Sequence, residues 1–99
     1  MSEKEQDLAE RAGVYSEFLY KTMNDNLPQL RYLINNCRDK DGIIDPKALK
    51  LYFHLAEINK SIVNNLLILN KEFPKTTIAP SQAEIEYIEQ TVALKDIYE

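Results

Sequence analysis

The sequence predicts an all-α fold: a four-helix bundle-like single domain with one long central helix. Three observations carry this expectation. Helix-start signals recur at Ser2, at Asp45–Pro46 and at Ser81. Apolar residues between them return at the three-to-four-residue spacing of one helix face. No run alternates apolar and polar between turn signals, as a half-buried strand would.

The elements follow in order. Ser2 with Glu5 fits a capping box, in which side chain and backbone satisfy each other at a helix start. Leu8, Ala12, Tyr15, Phe18, Leu19 and Met23 then form an expected inward stripe, with Glu10, Glu17, Lys21 and Asn24 opposite. This predicts a helix over 3–24. The segment "NDNLP" at 24–28 predicts a break, because Asn and Asp favour caps and Pro28 lacks an amide hydrogen. A second helix is expected over 27–37, with Leu27, Leu30, Leu33, Ile34 and Cys37 on one face. Asp45 before Pro46 pairs an N-cap acceptor with a residue preset for the first helical position. The next stop is Pro74, so a helix over 46–72 would run roughly 40 Å at 1.5 Å per residue. Residues 74–80, "PKTTIAP", read as a connector, and Ser81 with Glu84 opens a last helix over 82–97.

The segment "RDKDGIID", residues 38–45, resembles an EF-hand loop. With Gly42 at the sixth loop position, Asp39, Asp41 and Asp45 fall at positions three, five and nine. The first ligand becomes Cys37 and the twelfth, which should be a bidentate glutamate, becomes Ala48. Two of the strongest ligands are therefore missing. The expected role is a connector: a turn at Asp41–Gly42, an Ile43–Ile44 plug under the bundle and an Asp45 cap. No metal and no cofactor is expected.

Ninety-nine residues with 44% hydrophobic and 28% charged side chains suit one domain with a modest core. Cys37 and His54 are the only residues of their types, and neither lies in a nucleophile motif. Gly13 and Gly42 are too few for a phosphate-cradling loop, so the chain is not expected to be an enzyme. No apolar run approaches the roughly 20 residues of a membrane span, and the charged start does not resemble a signal peptide. A cytoplasmic protein that does not enter the membrane is expected. Lysine outnumbers arginine nine to three, a bias of AT-rich genomes that points to a small bacterial or phage protein.

Charge is uneven. Residues 1–25 carry −3, 46–80 carry +3 and 81–99 carry −4, for a total of −4. Complementarity between the last segment and the middle is the simplest reading, because a nucleic-acid surface normally leaves a stronger basic excess. On residues 46–73, Leu51, Leu55, Ile58, Ile62, Leu66, Leu69 and Phe73 form one stripe. Leu49, Tyr52, Ala56, Val63 and Leu67 form a second beside it. Asn59 and Asn70 fall between the two, where each needs a hydrogen-bond partner: connector backbone, or a symmetry-related asparagine in a second copy. In the last helix Ile85, Ile88 and Val92 lie opposite Tyr87, Leu94 and Tyr98. The first stripe is expected to dock on the chain itself and the second on another chain.

These features predict a non-enzymatic helical protein-interaction or assembly module. It would self-associate or bind a protein partner, presenting its C-terminal helix, and Tyr87, Leu94, Tyr98, Asn59 and Asn70 are the candidate interaction residues. The alternative is a nucleic-acid-associated small regulator, or a phage DNA-packaging component of the small-terminase type. It would use Arg38, Lys40, Lys47 and Lys50 around a helix start, where amides and lysines can hold phosphate. Calcium titration should leave helical content and melting temperature unchanged. A saturable stabilisation at micromolar calcium would contradict the connector reading.

Overall fold

Ser2 opens the first helix by accepting the Glu5 amide on its hydroxyl at 3.2 Å. In the computed structural model, which describes residues 2–98, that helix, α1, runs unbroken over Glu3–Asn35. Helix α2 spans Pro46–Glu72, α3 spans Gln82–Ala93, and a single turn, α4, spans Lys95–Tyr98. The protein is all-α, and three helices, not four, form its body. α1, with 33 residues, is longer than α2, with 27.

The expected break at 24–28 does not occur. Pro28 sits inside α1 and cannot donate to the carbonyl one turn back, a loss of about 3 kcal/mol or more. Packing on both sides of it outweighs that loss. Leu27, Leu30, Leu33 and Ile34 join Tyr52, Phe53 and Ala56 of α2 in one apolar cluster, and Pro28 itself lies on the solvent side. Each buried side chain of this size contributes about 1.5–3 kcal/mol. A second cluster, toward the other end, joins Leu19 and Met23 to Ile62, Val63, Leu66 and Ile88.

α1 and α2 pair as an antiparallel hairpin, and α3 packs along α2. The molecule is a rod of 63 × 18 × 18 Å. The turn of the hairpin is built by Asp39, whose Oδ1 accepts the amides of Asp41 and Ile43, both at 2.9 Å. Gly42 adopts φ +78°, a conformation only glycine takes without strain, and its carbonyl accepts Arg38 Nη1 at 3.0 Å. Ile43 is not a plug: it is 65% exposed. Asp45 caps α2 by accepting the Lys47 amide at 2.9 Å.

The inward face of α1 is also rotated from the expected one. Ala9, Ala12, Gly13, Ser16, Leu19 and Met23 are buried, whereas Leu8, Tyr15 and Phe18 are exposed. The cause is the 73–81 connector, which lies directly on α1. A Cβ on Gly13 would meet the Thr76 carbonyl oxygen at 2.6 Å. Ser16, fully buried, donates to the Gly13 carbonyl at 2.8 Å and accepts the Ile78 amide at 3.1 Å. Only small side chains fit beneath this backbone.

Gly13→Ala tests the close approach. Helix propensity alone would favour alanine by about 1 kcal/mol. Overpacking against a backbone oxygen should instead produce a net loss within the usual 1–3 kcal/mol. A variant more stable than the parent in urea melts would refute the contact.

Candidate interaction surface

The two asparagines expected inside the apolar arc of α2 are both satisfied within the chain. Asn59 is fully buried between the two apolar clusters. Its Oδ1 accepts Asn26 Nδ2 at 2.9 Å and its own Nδ2 donates to the Met23 carbonyl at 3.3 Å. Asn70 is half-buried and donates to the carbonyl and the hydroxyl of Thr77 at 3.4 and 3.2 Å. Thr77 in turn donates to the Phe73 carbonyl at 2.7 Å, closing the C-terminus of α2. Neither side chain needs a symmetry mate.

The C-terminal stripes separate differently from expectation. Ile85 and Ile88 dock on the Leu19–Met23–Leu66 cluster, and Val92 packs on the other. Leu94 and Tyr98, expected to face a second chain, also pack on their own core. Tyr98 lies with its ring centroid 6.5 Å from that of Phe53, which meets Tyr52 edge-on at 5.3 Å. The reason is a helix end. α3 stops at Ala93, and the amides of Ile97 and Tyr98 both return to the Leu94 carbonyl, so the last turn wraps inward instead of continuing the stripe. Tyr87 remains 39% exposed, beside a groove lined by Met23, Leu27, Arg31, Ala83, Glu84 and Ile88.

α3 is held to α1 by one charged hydrogen bond. The Tyr20 hydroxyl donates to Glu84 Oε2 at 2.7 Å, while Glu84 Oε1 accepts the Ser81 amide at 2.8 Å. Ser81 Oγ accepts the Glu84 amide at 3.1 Å, completing the capping box. The Ser81 amide, with smaller contributions from the Tyr20 and Ser81 hydroxyls, holds the Glu84 carboxyl below its ordinary value, against a partial opposing effect of burial. The same bond raises the Tyr20 phenol. The acidic α3 therefore docks here through tyrosine and its own cap, with no lysine of α2 at this carboxylate.

The basic residues of the alternative reading do not form a uniform patch. Arg38 is tied to Gly42, and Lys40 is exposed between Asp39 and Asp41. Lys47 and Lys50 lie on the first turns of α2, where Asp45 already occupies the Lys47 amide. Lys50 borders an open groove with Pro46, Leu49, Phe53, His54, Glu57 and Lys95. Cys37 is buried, its thiol donating to the Ile34 carbonyl at 3.3 Å, and His54 is exposed on α2. Among the described residues no group of three or more His, Cys, Asp or Glu could hold a metal ion, and no helix is long and apolar enough to cross a membrane.

The outer side of α1 carries Leu8, Tyr15 and Phe18, three residues expected on its inward face, together with Val14. Val14 is 69% and Phe18 64% exposed, with Tyr15 and Leu8 half exposed beside them. Asp7, Glu10, Arg11, Val14, Tyr15 and Phe18 line a shallow depression there. The available signal was the small-residue series Ala9, Ala12, Gly13 and Ser16 at helical spacing, which marks the buried face and turns the large residues outward. Compared with known proteins, the chain matches no family model, and no curated protein or solved structure resembles it at a significant level.

Stability should depend on acid through Glu84. Folding favours its ionised form, so its contribution is complete above the ordinary value of 4.5 and is lost as the pH falls through the lower folded value. Urea melts at pH 7 and pH 3 should show a smaller acid loss for Glu84→Gln than for the parent. Equal losses would refute the coupling.

Proposed function

We propose that this chain is a non-enzymatic helical module that acts through protein–protein contact, with self-association as its principal mode. One observation carries the reading: the fold leaves large apolar side chains uncovered. Among the described residues thirteen are exposed, including Val14, Phe18, Leu51, Ile68 and Ile97. Scattered apolar residues are ordinary on a monomer, but contiguous ones mark contact surfaces. Here Leu8, Val14, Tyr15 and Phe18 share one side of a single helix, and Leu51 borders another groove with Pro28, Gln29, Tyr32 and Leu33. The C-terminal segment adds Tyr87 and Ile97 as the residues it presents.

The rod shape supports the same reading. A monomeric protein of 11.5 kDa exposes roughly 5,800 Å² by the usual scaling, whereas this chain exposes 7084 Å². Its radius of gyration is 16.8 Å, against about 12.6 Å for a compact domain of this length. The surplus, roughly 1,300 Å², exceeds the roughly 800 Å² that each partner gives to a standard interface.

Light scattering or sedimentation across micromolar concentrations is the test. The expected mass lies above the 11.5 kDa of one chain and rises with concentration. A constant single-chain mass at the highest concentration would reject self-association.

A further inference from the structure

We propose that the groove between the first three turns of α2 and the C-terminal turn α4 binds a small organic acid, a single carboxylate on an apolar body. The inference goes beyond the self-association reading and does not rest on it.

The groove has a volume of about 500 Å³, within the roughly 300–1,000 Å³ of small-ligand sites. Its floor is Pro46, Leu49 and Phe53, which share one face of α2 at the spacing i, i+3, i+7. The floor is held in place before any ligand arrives. Phe53 is buried, with the Tyr52 ring edge-on at 5.3 Å and the Tyr98 ring at 6.5 Å between centroids. The other wall comes from α4, as Lys95. The inward turn that packs Leu94 and Tyr98 on the core also brings Lys95 to the groove.

The rim selects the charge. Lys50 and His54 lie one turn apart on α2, so an ammonium and an imidazole N–H can reach the same anion. Both side chains are exposed, and Lys50 makes no ion pair among the described residues. Glu57, three residues beyond His54, is the one acid lining the groove among the described residues. It disfavours a second negative charge at that end, so a single carboxylate fits better than a dianion. The other grooves described above lack this balance. The depression on α1 sets Asp7 and Glu10 against Arg11, and the groove beside Tyr87 sets Arg31 against Glu84. The groove at Leu51 is lined by no charged residue. In a chain whose total is −4, the α2–α4 groove sets Lys50, His54 and Lys95 against Glu57, above an apolar floor. A carboxylate needs the first, and its apolar body needs the second.

Octanoate is the probe, followed through the amide shifts of the isotope-labelled full chain in NMR spectra. Saturable shifts are expected across residues 49–57 and at Lys95. Octylammonium, with the charge reversed, and acetate, without the apolar body, should each bind at least about tenfold more weakly. Lys50→Glu, checked first for parental helicity and melting temperature, should weaken octanoate about tenfold. Lys60→Glu, on the same helix but outside the groove, should leave octanoate binding within about twofold of the parent. The ligand comparison uses the parent alone, so it decides even where a variant misfolds. Equal binding of octylammonium or acetate, or a folded Lys50→Glu chain with parental octanoate affinity, overturns the site. Octanoate shifts centred on Phe18 or Tyr32 would mark adhesion to exposed apolar surface and overturn it equally. An acidic peptide that shifts the groove amides where octanoate does not would give the groove to a protein partner, against this proposal. Each outcome stands apart from self-association, which the mass measurement decides alone.

Discussion

The register between α1 and α2 depends on the side-chain amide of Asn59. It is completely buried, midway along two helices that, beyond their hydrogen-bonded turn, otherwise meet through apolar side chains. An unpartnered buried amide costs about 1–3 kcal/mol, so only alignments that return Asn26 and the Met23 carbonyl to it are favourable. Sliding one helix by a turn would leave much apolar burial intact but would set Asn59 against apolar neighbours. A single polar group thus gives a two-cluster core one alignment, as buried asparagines do in helical coils. The clusters supply most of the burial, and the amide fixes where they meet.

That alignment sets the position of everything after α2. Asn70, three turns beyond Asn59, holds Thr77, and the connector is carried onto α1 so that Ile78 reaches Ser16 and Thr76 lies over Gly13. Pro80 is buried, and Ser81 then starts α3 within reach of Tyr20. The connector has little apolar bulk of its own, so its closeness to α1 depends on backbone contacts that only glycine, alanine and serine permit. This is why the small residues of α1 face inward.

The large residues of the same helix are outward for the same reason. α1 has too few inward positions near its N-terminus for both a backbone connector and bulky side chains. Leu8, Val14, Tyr15 and Phe18 are therefore left on the solvent side, where each costs little to folding but remains available for association. Toward the other end, where α1 meets α2 directly, the inward positions are large: Leu27, Leu30, Leu33 and Ile34. The helix changes from a small buried face to a large one near Leu19. That change gives the fold an adhesive N-terminal half without altering its helical character.

Much of the helical layout was legible because local chemistry decides it. The Asp45–Pro46 start of α2, the Ser81–Glu84 box and the glycine turn at Gly42 are set by residues close in sequence, and the inward docking of Ile85, Ile88 and Val92 follows their helical spacing. The need of Asn59 for a partner was legible too, but not that Asn26 would supply it, because the pairing depends on how two helices align. Pro28 was misread for a related reason: a proline disfavours a helix locally, yet burial of Leu27, Leu30 and their neighbours on α2 outweighs that preference. The α1 stripe and the Leu94–Tyr98 turn were misread because size and spacing identify an apolar residue without saying what covers it. Sequence by itself determined which segments are helical and where most of them begin. Tertiary structure alone decided which face of α1 is inside, since that follows from a backbone oxygen of Thr76 brought there from 63 residues away.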